Sequence, residues 1–313
     1  MKVASVTVNY KTADLTVRAV EAALVDLEPL GGKAIVVDND SGDGSVDKIE
    51  AEIAKRGWGD RVVLLRSPRN VGFGAGNNVA FRDALAWPDP PEFFYLLNPD
   101  ARPDPGTIRT LLDFMRRTPD AGLAGSKVRH EDGSLRLSAF RFPGVLSEIE
   151  AGLKLGVASK LLERWRVWQP VPTQTCRVDW VSGASVMIRR DVLERVGMFD
   201  ETFFLYFEET DLCLRALRAG WPTYYVVECE AEHIGQVATQ FKDNSRPRPR
   251  YWFDSRSHYL RKSHGPATLL AANVAFMSAY SLYQVRRRLQ SKPDLDPPHL
   301  LRDFVRHSFR AGR

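Results

Sequence analysis

In its first 120 residues the chain alternates between two rhythms. The apolar runs VASVTVNY, KAIVVD, RVVLLR and EFFYLL have the β-branched and aromatic content of strands buried on both faces. Between them, in ADLTVRAVEAALVDL, SVDKIEAEIAKRG, GAGNNVAFRDALAW and DPGTIRTLLDFMRRTP, apolar residues return every three or four positions, the spacing of one helix face. Asp14 stands where a helix N-cap would, and Gly57 where a helix would close. Strand and helix in strict alternation predict an α/β fold built on a mostly parallel, doubly wound, Rossmann-like sheet. Such sheets take ligands at the carboxyl ends of their strands. Three strands end in polar residues, Asn9-Tyr10, Asp38-Asn39-Asp40 and Asn98-Pro99-Asp100, and this topology places all three ends on one edge.

The pattern loosens after residue 120. GLAGSKVRHEDGSLRL predicts a hairpin turning at EDG. VDWVSGASVMIRRDVLERVG predicts a strand and a helix, YFEETDLCLRALRAG an amphipathic helix ending at Gly220, and PTYYVVECEAEH a strand running to His233. From Pro266 a helix with apolar residues on nearly every side runs into Arg286-Arg287-Arg288. The chain thus divides into a regular half (1–120), a less regular half of the same domain (121–265) and a helical, basic extension (266–313).

Charge sharpens the view of that extension. The whole chain carries +5, but residues 236–313 hold 15 Lys and Arg against 5 Asp and Glu, leaving 29 against 34 elsewhere. A basic tail on an acidic body suits an anionic surface, and without a recognisable nucleic-acid module the membrane surface is the better partner. Asn273, Ser278 and Ser281 interrupt the apolar helix. It reads either as a helix packed on the body or in an oligomer, or as one lying on a membrane surface. Three cysteines without CxxC spacing argue against a disulfide framework and a cysteine zinc site. MKVASVTVNY reads directly as a strand rather than a secretion signal, so a cytoplasmic setting, peripheral to the membrane at most, is expected.

Several stretches carry chemistry. Asp38 at a strand end could accept a hydrogen bond from a nucleobase ring N–H, or cap a turn. RNVGFGAGNN has G-x-G-x-G spacing after the third strand, which disfavours a dinucleotide fingerprint. Its glycines would let the backbone pass close to a ligand, with Asn70 and Asn77 offering amides. Asn98 and Asp100 flank Pro99, a stiff pair of oxygen ligands suited to a hard divalent cation that also binds a diphosphate, or simply a turn. Glu208, Glu209 and Asp211 follow the aromatic run Phe203-Phe204-Leu205-Tyr206-Phe207. Acids there favour a helix start, and beside apolar surface they also gain the raised proton affinity of a general base. His233 could close a metal site with Asp100.

Taken in order, VTVNYK, VVDNDSGDGS, NVGFGAGNN, LLNPDA, WVSGASVMIRRDVLERVGMFDETFFLYFEETDLCLR and EHIGQ resemble the inverting GT-A glycosyltransferases of family 2, in their bacterial rhamnosyltransferase-like branch. The resemblance spans residues 1–265. It implies that 1–120 is the nucleotide-sugar half and 121–265 the acceptor and catalytic half. It implies nucleotide contacts by Val8, Asn9, Tyr10, Asp38 and Asn39, with Asn70, Gly72 and Asn77 beside them. Asn98 and Asp100 match the family's D-x-D motif, and His233 its downstream histidine, together holding Mg²⁺ or Mn²⁺ on a dTDP- or UDP-sugar. Glu208-Glu209 match the paired acids, with Glu209 as base and Asp211 in support. Trp180, Ser182, Gly183 and Ala184 match the segment lining the sugar and acceptor pocket, and Arg256 and Lys262 match basic groups near the diphosphate. Asn98 departs from the family's acid, which leaves Asp100 as the main oxygen ligand, and Glu209 departs from the Asp of many relatives.

What this implies is a single inverting displacement onto a glycan or lipid-linked glycan hydroxyl, with rhamnose from dTDP-rhamnose as the best match. Two other readings compete. A nucleotidyltransferase would want a glycine-rich loop after the first strand, and VNYKTADL has no glycine. A carbohydrate-binding module would leave the acid cluster without a use.

Overall fold

The computed structural model describes residues 1–235 and 244–308, which form two compact units. The first comprises Met1–Phe140, Pro170–Phe204 and the chain from Glu208 onward through the last long strand. The second comprises Arg141–Gln169, Leu205–Phe207 and the C-terminal helices. The helical region thus draws on a sequence insertion at 141–169 as well as on the C-terminal stretch.

In the first unit, β1 (Val3–Asn9), β2 (Lys33–Asp38), β3 (Val62–Arg66) and β4 (Phe93–Leu97) alternate with α1 (Ala13–Leu27), α2 (Ser45–Lys55) and α3 (Phe73–Leu85). There follow β5 (Ala101–Pro103), α4 (Thr107–Arg117), the hairpin β6 (Leu123–Arg129) with β7 (Leu135–Arg136), and β8 (Ala139–Phe140). After an excursion into the second unit come β9 (Cys176–Val178), β10 (Trp180–Val181), β11 (Ser185–Arg189), α7 (Arg190–Val196), α8 (Glu208–Arg218) and β12 (Thr223–His233). The main sheet runs β3-β2-β1-β4-β11-β6-β12-β5. β3, β2, β1 and β4 are parallel, β11 is antiparallel to both its neighbours, and β12 returns parallel to β6. The mostly parallel, doubly wound plan is therefore present, with β11 reversed inside it.

Burial explains the continuous apolar runs. Along β4, Phe93, Tyr95 and Leu97 join the core beneath α1 and α4, while Phe94 faces the other way and meets Phe81 of α3 edge-on at 4.8 Å. Helices on both faces bury nearly every position of β1, β2 and β4, while β3 at the sheet edge stays partly exposed. The expected N-cap at Asp14 is not formed. α1 begins one residue earlier behind Thr12, and Asp14 sits in the first turn, paired with Lys48. The buried Asp26 of α1 caps a different helix: it accepts the N–H groups of Gly106 and Ile108 at 2.7 and 2.8 Å. There it satisfies donors that α4 cannot and matches the helix dipole.

In the second unit, α5 (Val145–Leu153), α6 (Gly156–Leu161), α9 (Arg250–His264), α10 (Pro266–Leu289) and α11 (Leu300–Ser308) surround a small core of Phe253, Tyr280, Leu300 and Phe304. α5 and α10 touch through Gly152, where any Cβ would come 2.8 Å from that of Ala279. Among the described residues no helix is long and apolar enough to cross a membrane.

Candidate active site

The strand ends of β1 and β2 form a saturated polar knot. The buried Asn9 donates from Nδ2 to Asp38 at 2.7 Å and to Ser41 at 3.1 Å. Its Oδ1 accepts from the Thr12 amide and from the Thr12 and Thr16 hydroxyls. Both donors and the acceptor are spent, so the Asn9 side chain has nothing left for a nucleotide. Asp38 accepts from Asn9 and from the Ser41 amide and hydroxyl, which fills three of its roughly four acceptor positions. Asn39 donates to Asn70 and to the Gly72 carbonyl and accepts from the Val71 amide, pinning the 70–72 loop to β2. Val8 is buried against Gly76, and Tyr10 is partly exposed.

The glycine run serves close packing. At Gly72, φ +86°, an added Cβ would lie 1.9 Å from the Phe204 carbonyl oxygen, which accepts the Phe73 N–H. Gly74 passes Phe199 and the Cβ of Glu208, and Gly76 passes Val8. Asn77 bonds the Phe73 carbonyl of its own helix. These residues bring α3 tight against β1 and the chain that feeds α8.

A second cluster lies at the end of β4. The turn Asn98–Asp100 closes with the Ala101 N–H on the Asn98 carbonyl, and the Asp100 carbonyl accepts from Ile234 just past β12. His233, 133 residues away in sequence, is thereby brought to Asp100, its Nε2 3.1 Å from Oδ1 and 3.2 Å from the Asn98 amide. One ring nitrogen cannot both accept from Asn98 and donate to Asp100. A divalent cation would take the imidazole nitrogen and the carboxylate, with the Asn98 amide turned to present its oxygen. Burial works to raise the Asp100 pKa, but the hydrogen bond and charge of His233, with backbone N–H groups, bring it below the usual carboxylate value. Among the described residues no three His, Cys, Asp or Glu side chains gather as a metal cage. Asp100 and His233, with the Asn98 amide, fit a Mg²⁺ or Mn²⁺ ion that takes its other ligands from phosphate and water.

Glu208 and Glu209 open α8 directly after Tyr206 and Phe207, two consecutive residues in the left-handed region at φ 71° and 70°. That conformation costs roughly 1–2 kcal/mol per residue, so the turn that delivers the acids is held by its surroundings. Glu208 is buried. Glu209 is partly exposed and accepts the Gly183 N–H at 3.2 Å. Burial raises its pKa against the help of that amide and its own backbone, and among the described residues no cation pairs with it. Asp211 is engaged elsewhere: Arg215 holds it at 2.7 Å and also donates to the carbonyls of Val196, Gly197 and Met198.

The segment 182–184 joins the two acids' neighbourhoods. Ala184 accepts the Asn98 N–H through its carbonyl, and Gly183 donates to Glu209. An added Cβ at Gly183 would come 2.9 Å from Glu209 Oε1 and 3.1 Å from the Phe73 ring. Ser182 bonds the Ser138 carbonyl, and Trp180 stacks on Phe140 at 4.2 Å.

One of the two basic expectations needs correction. Arg256 is 2% exposed in the second unit, bound to Glu148 at 2.9 Å and Asn273 at 2.7 Å under the Phe304 ring, so its guanidinium is a core group and is not offered to a diphosphate. Lys262 is exposed on α9 of that unit. The cation that does lie at the turn is Arg136 of β7. It makes long contacts to the carbonyls of His233 and Ile234 at 3.4 and 3.5 Å and feels the charge of Asp100. Gly235 makes room for it, since a Cβ there would overlap the guanidinium at 2.0 Å. In the sequence Arg136 is one arginine of a plain hairpin, and nothing nearby marks it.

Residues 2–265 match the family model described as glycosyltransferase like family 2. The N-acetylglucosaminyl-diphospho-decaprenol L-rhamnosyltransferase of Mycobacterium tuberculosis is 31% identical over 212 residues, 64% of this chain and 65% of that protein. The rhamnosyltransferase WbbL of Escherichia coli is 30% identical over 165 residues, 52% and 60% of the two lengths. The match therefore spans less than two thirds of these curated relatives. Among solved structures, the mannosyltransferase PcManGT of Pyrobaculum calidifontis, in complex with GDP-Man and Mn²⁺, aligns with 99% of this chain and 86% of its own at TM-score 0.61 and 13% identity. GalNAc-T7 with UDP, GalNAc and Mn²⁺ aligns with 98% and 54% at TM-score 0.57 and 14% identity, so both likenesses concern the fold.

Proposed function

The chain belongs to glycosyltransferase-like family 2, and from that premise we propose that it transfers a sugar from a nucleotide-sugar to a hydroxyl of a glycan or lipid-linked glycan, with inversion. The observation that carries this is the link through 182–184, which ties the Asn98–Asp100 turn to Glu209 within one unit. A leaving-group site and a candidate base are thus held in fixed relation.

Asp100 and His233 would hold Mg²⁺ or Mn²⁺, which when bound offsets the charge of a leaving diphosphate. Arg136 adds a fixed positive charge on the same side. Asp38 and Asn39, Tyr10 and Asn70 are the nucleotide-side candidates, with Asn9 bracing Asp38. Glu209 removes the proton of the attacking hydroxyl, and its raised pKa gives it the proton affinity a base needs. Glu208 and Asp211 shape the start of α8. The match to rhamnosyltransferases favours rhamnose from dTDP-rhamnose, and the decaprenyl-linked substrate named for the mycobacterial relative favours a lipid-linked acceptor.

The test is a donor screen by calorimetry with dTDP- and UDP-sugars, with and without Mn²⁺. One donor binding in the micromolar range and slowly hydrolysed supports the reading, and Asp100→Ala should weaken that binding at least about tenfold, ~1.4 kcal/mol. Binding of a nucleoside triphosphate with pyrophosphate release would favour a nucleotidyltransferase instead. Unchanged donor affinity in Asp100→Ala would remove the metal turn from the site.

A further inference from the structure

The second unit carries a surface that the transfer chemistry does not use. Its described residues hold 17 Lys and Arg against 7 Asp and Glu, a balance of +10. Its longest helix, α10, turns Ala272, Asn273, Ala279 and Tyr280 inward. Its opposite face carries Leu282, 64% exposed, Val285, 56%, and Leu289, 82%, at helical spacing, with Arg288 among them. Arg286 donates to the carbonyls of Leu153 and Lys154 at the end of α5, so α6 leaves the helix pair beside this same end of α10. α6 shows Val157, 66% exposed, and Leu161, 75%, one turn apart, with Lys160 exposed between them. The chain then exposes Arg164, over the Trp165 ring, and Trp168.

Aliphatic side chains in water beside Lys, Arg and Trp are the composition of a surface that sits at the headgroup level of a bilayer. We propose that α6, the following turn through Trp168 and the C-terminal third of α10 dock this unit on an anionic phospholipid surface without crossing it. Charge selects this occupant over a second copy of the chain, which would set one +10 unit against another. Each exposed cation near such a surface strengthens binding about fivefold at physiological salt, and the aliphatic groups add a component that salt does not remove. The inference deepens the reading of a lipid-linked acceptor; donor binding, measured on the same samples, tests that reading apart from it.

The full chain is sedimented with vesicles of phosphatidylcholine alone and of phosphatidylcholine with about 30% phosphatidylglycerol, a strongly anionic surface. The expected result is binding to the anionic vesicles and little to the neutral ones. Lys160→Gln with Arg164→Gln and Arg288→Gln should weaken it on the order of 100-fold, and Leu282→Ser with Leu289→Ser should leave only a salt-sensitive remnant. Both sets lie on the surface, and circular dichroism checks their fold. Quenching of Trp165 and Trp168 by brominated lipid, lost in Trp165→Phe/Trp168→Phe, gives a readout that no folding defect of the other variants affects. No binding, equal binding to both vesicle types, or a solution dimer by light scattering that the leucine variants dissolve would each overturn the proposal.

Discussion

Two polar clusters end neighbouring strands of the same sheet, and they differ in what they have left to offer. At the ends of β1 and β2, Asn9, Asp38, Ser41, Thr12 and Thr16 satisfy one another almost completely. At the end of β4, His233 stands between two partners it cannot serve at once, and Glu209 keeps a single amide donor from a neighbouring segment. A closed network fixes a shape, whereas an open one invites a ligand. The residue types alone, Asn and Asp at strand ends, do not separate the two cases; the bonding inventory does.

Three substitutions probe that contrast. The largest effect is expected from Glu209→Gln, which keeps the shape and removes the proposed base: transfer should fall by about 10³-fold with donor affinity retained, measured by initial rates and calorimetry. Undiminished turnover would move the base elsewhere. Gly183→Ala comes next. Its Cβ needs the space of the carboxylate and the Phe73 ring, and a displacement of about 1 Å should cost on the order of 100-fold in kcat while the melting temperature changes little. Asn9→Ala should act in the opposite sense. It strips the buried Asp38 of a donor and should cost about 1–3 kcal/mol in a urea titration, with kcat of the folded enzyme nearly unchanged. A selective loss of donor binding there would mean that Asn9 itself, and not only Asp38 beside it, reads the nucleotide.

The smallest effect concerns pH. Burial raises the Glu209 pKa in the folded chain. A raised carboxylate contributes stability that is fully present below its unfolded pKa and is lost as pH rises through the folded one. Glu209→Gln should therefore unfold at higher urea than the parent at neutral pH, and the gap should close in acid. Transfer by the parent should fall as pH drops through a value above the ordinary carboxylate range, since the base must be ionised. A gap that widens in acid would contradict the raised pKa.

Much of the first unit was legible because its strands are buried on both faces and so appear as unbroken apolar runs. The Asp100–His233 pairing was legible from residue types as one option and sharpened by the family resemblance, because no local rule links residues 133 positions apart. The packing role of the glycines in the 72–76 stretch was not legible: what a glycine makes room for is decided by whichever segment folds against it, here Phe204, Phe199 and Val8. Arg256 misled for the reverse reason. A guanidinium is read as a surface group until Glu148, supplied by an insertion more than a hundred residues earlier, buries it. Arg136 went unseen because a hairpin arginine is ordinary until β12 ends beside it.

The three residues from Ser182 to Ala184 act as a gauge block. Because the Asn98 amide and the Glu209 carboxylate are each one hydrogen bond from that block, the distance between the Asn98–Asp100 turn and Glu209 is set by the backbone of 183 and 184. On the proposed reading, drift of specificity toward new sugars or acceptors proceeds in groups such as Tyr10, Asn70 and Trp180, while the spacing between the Asn98–Asp100 turn and Glu209 is inherited unchanged.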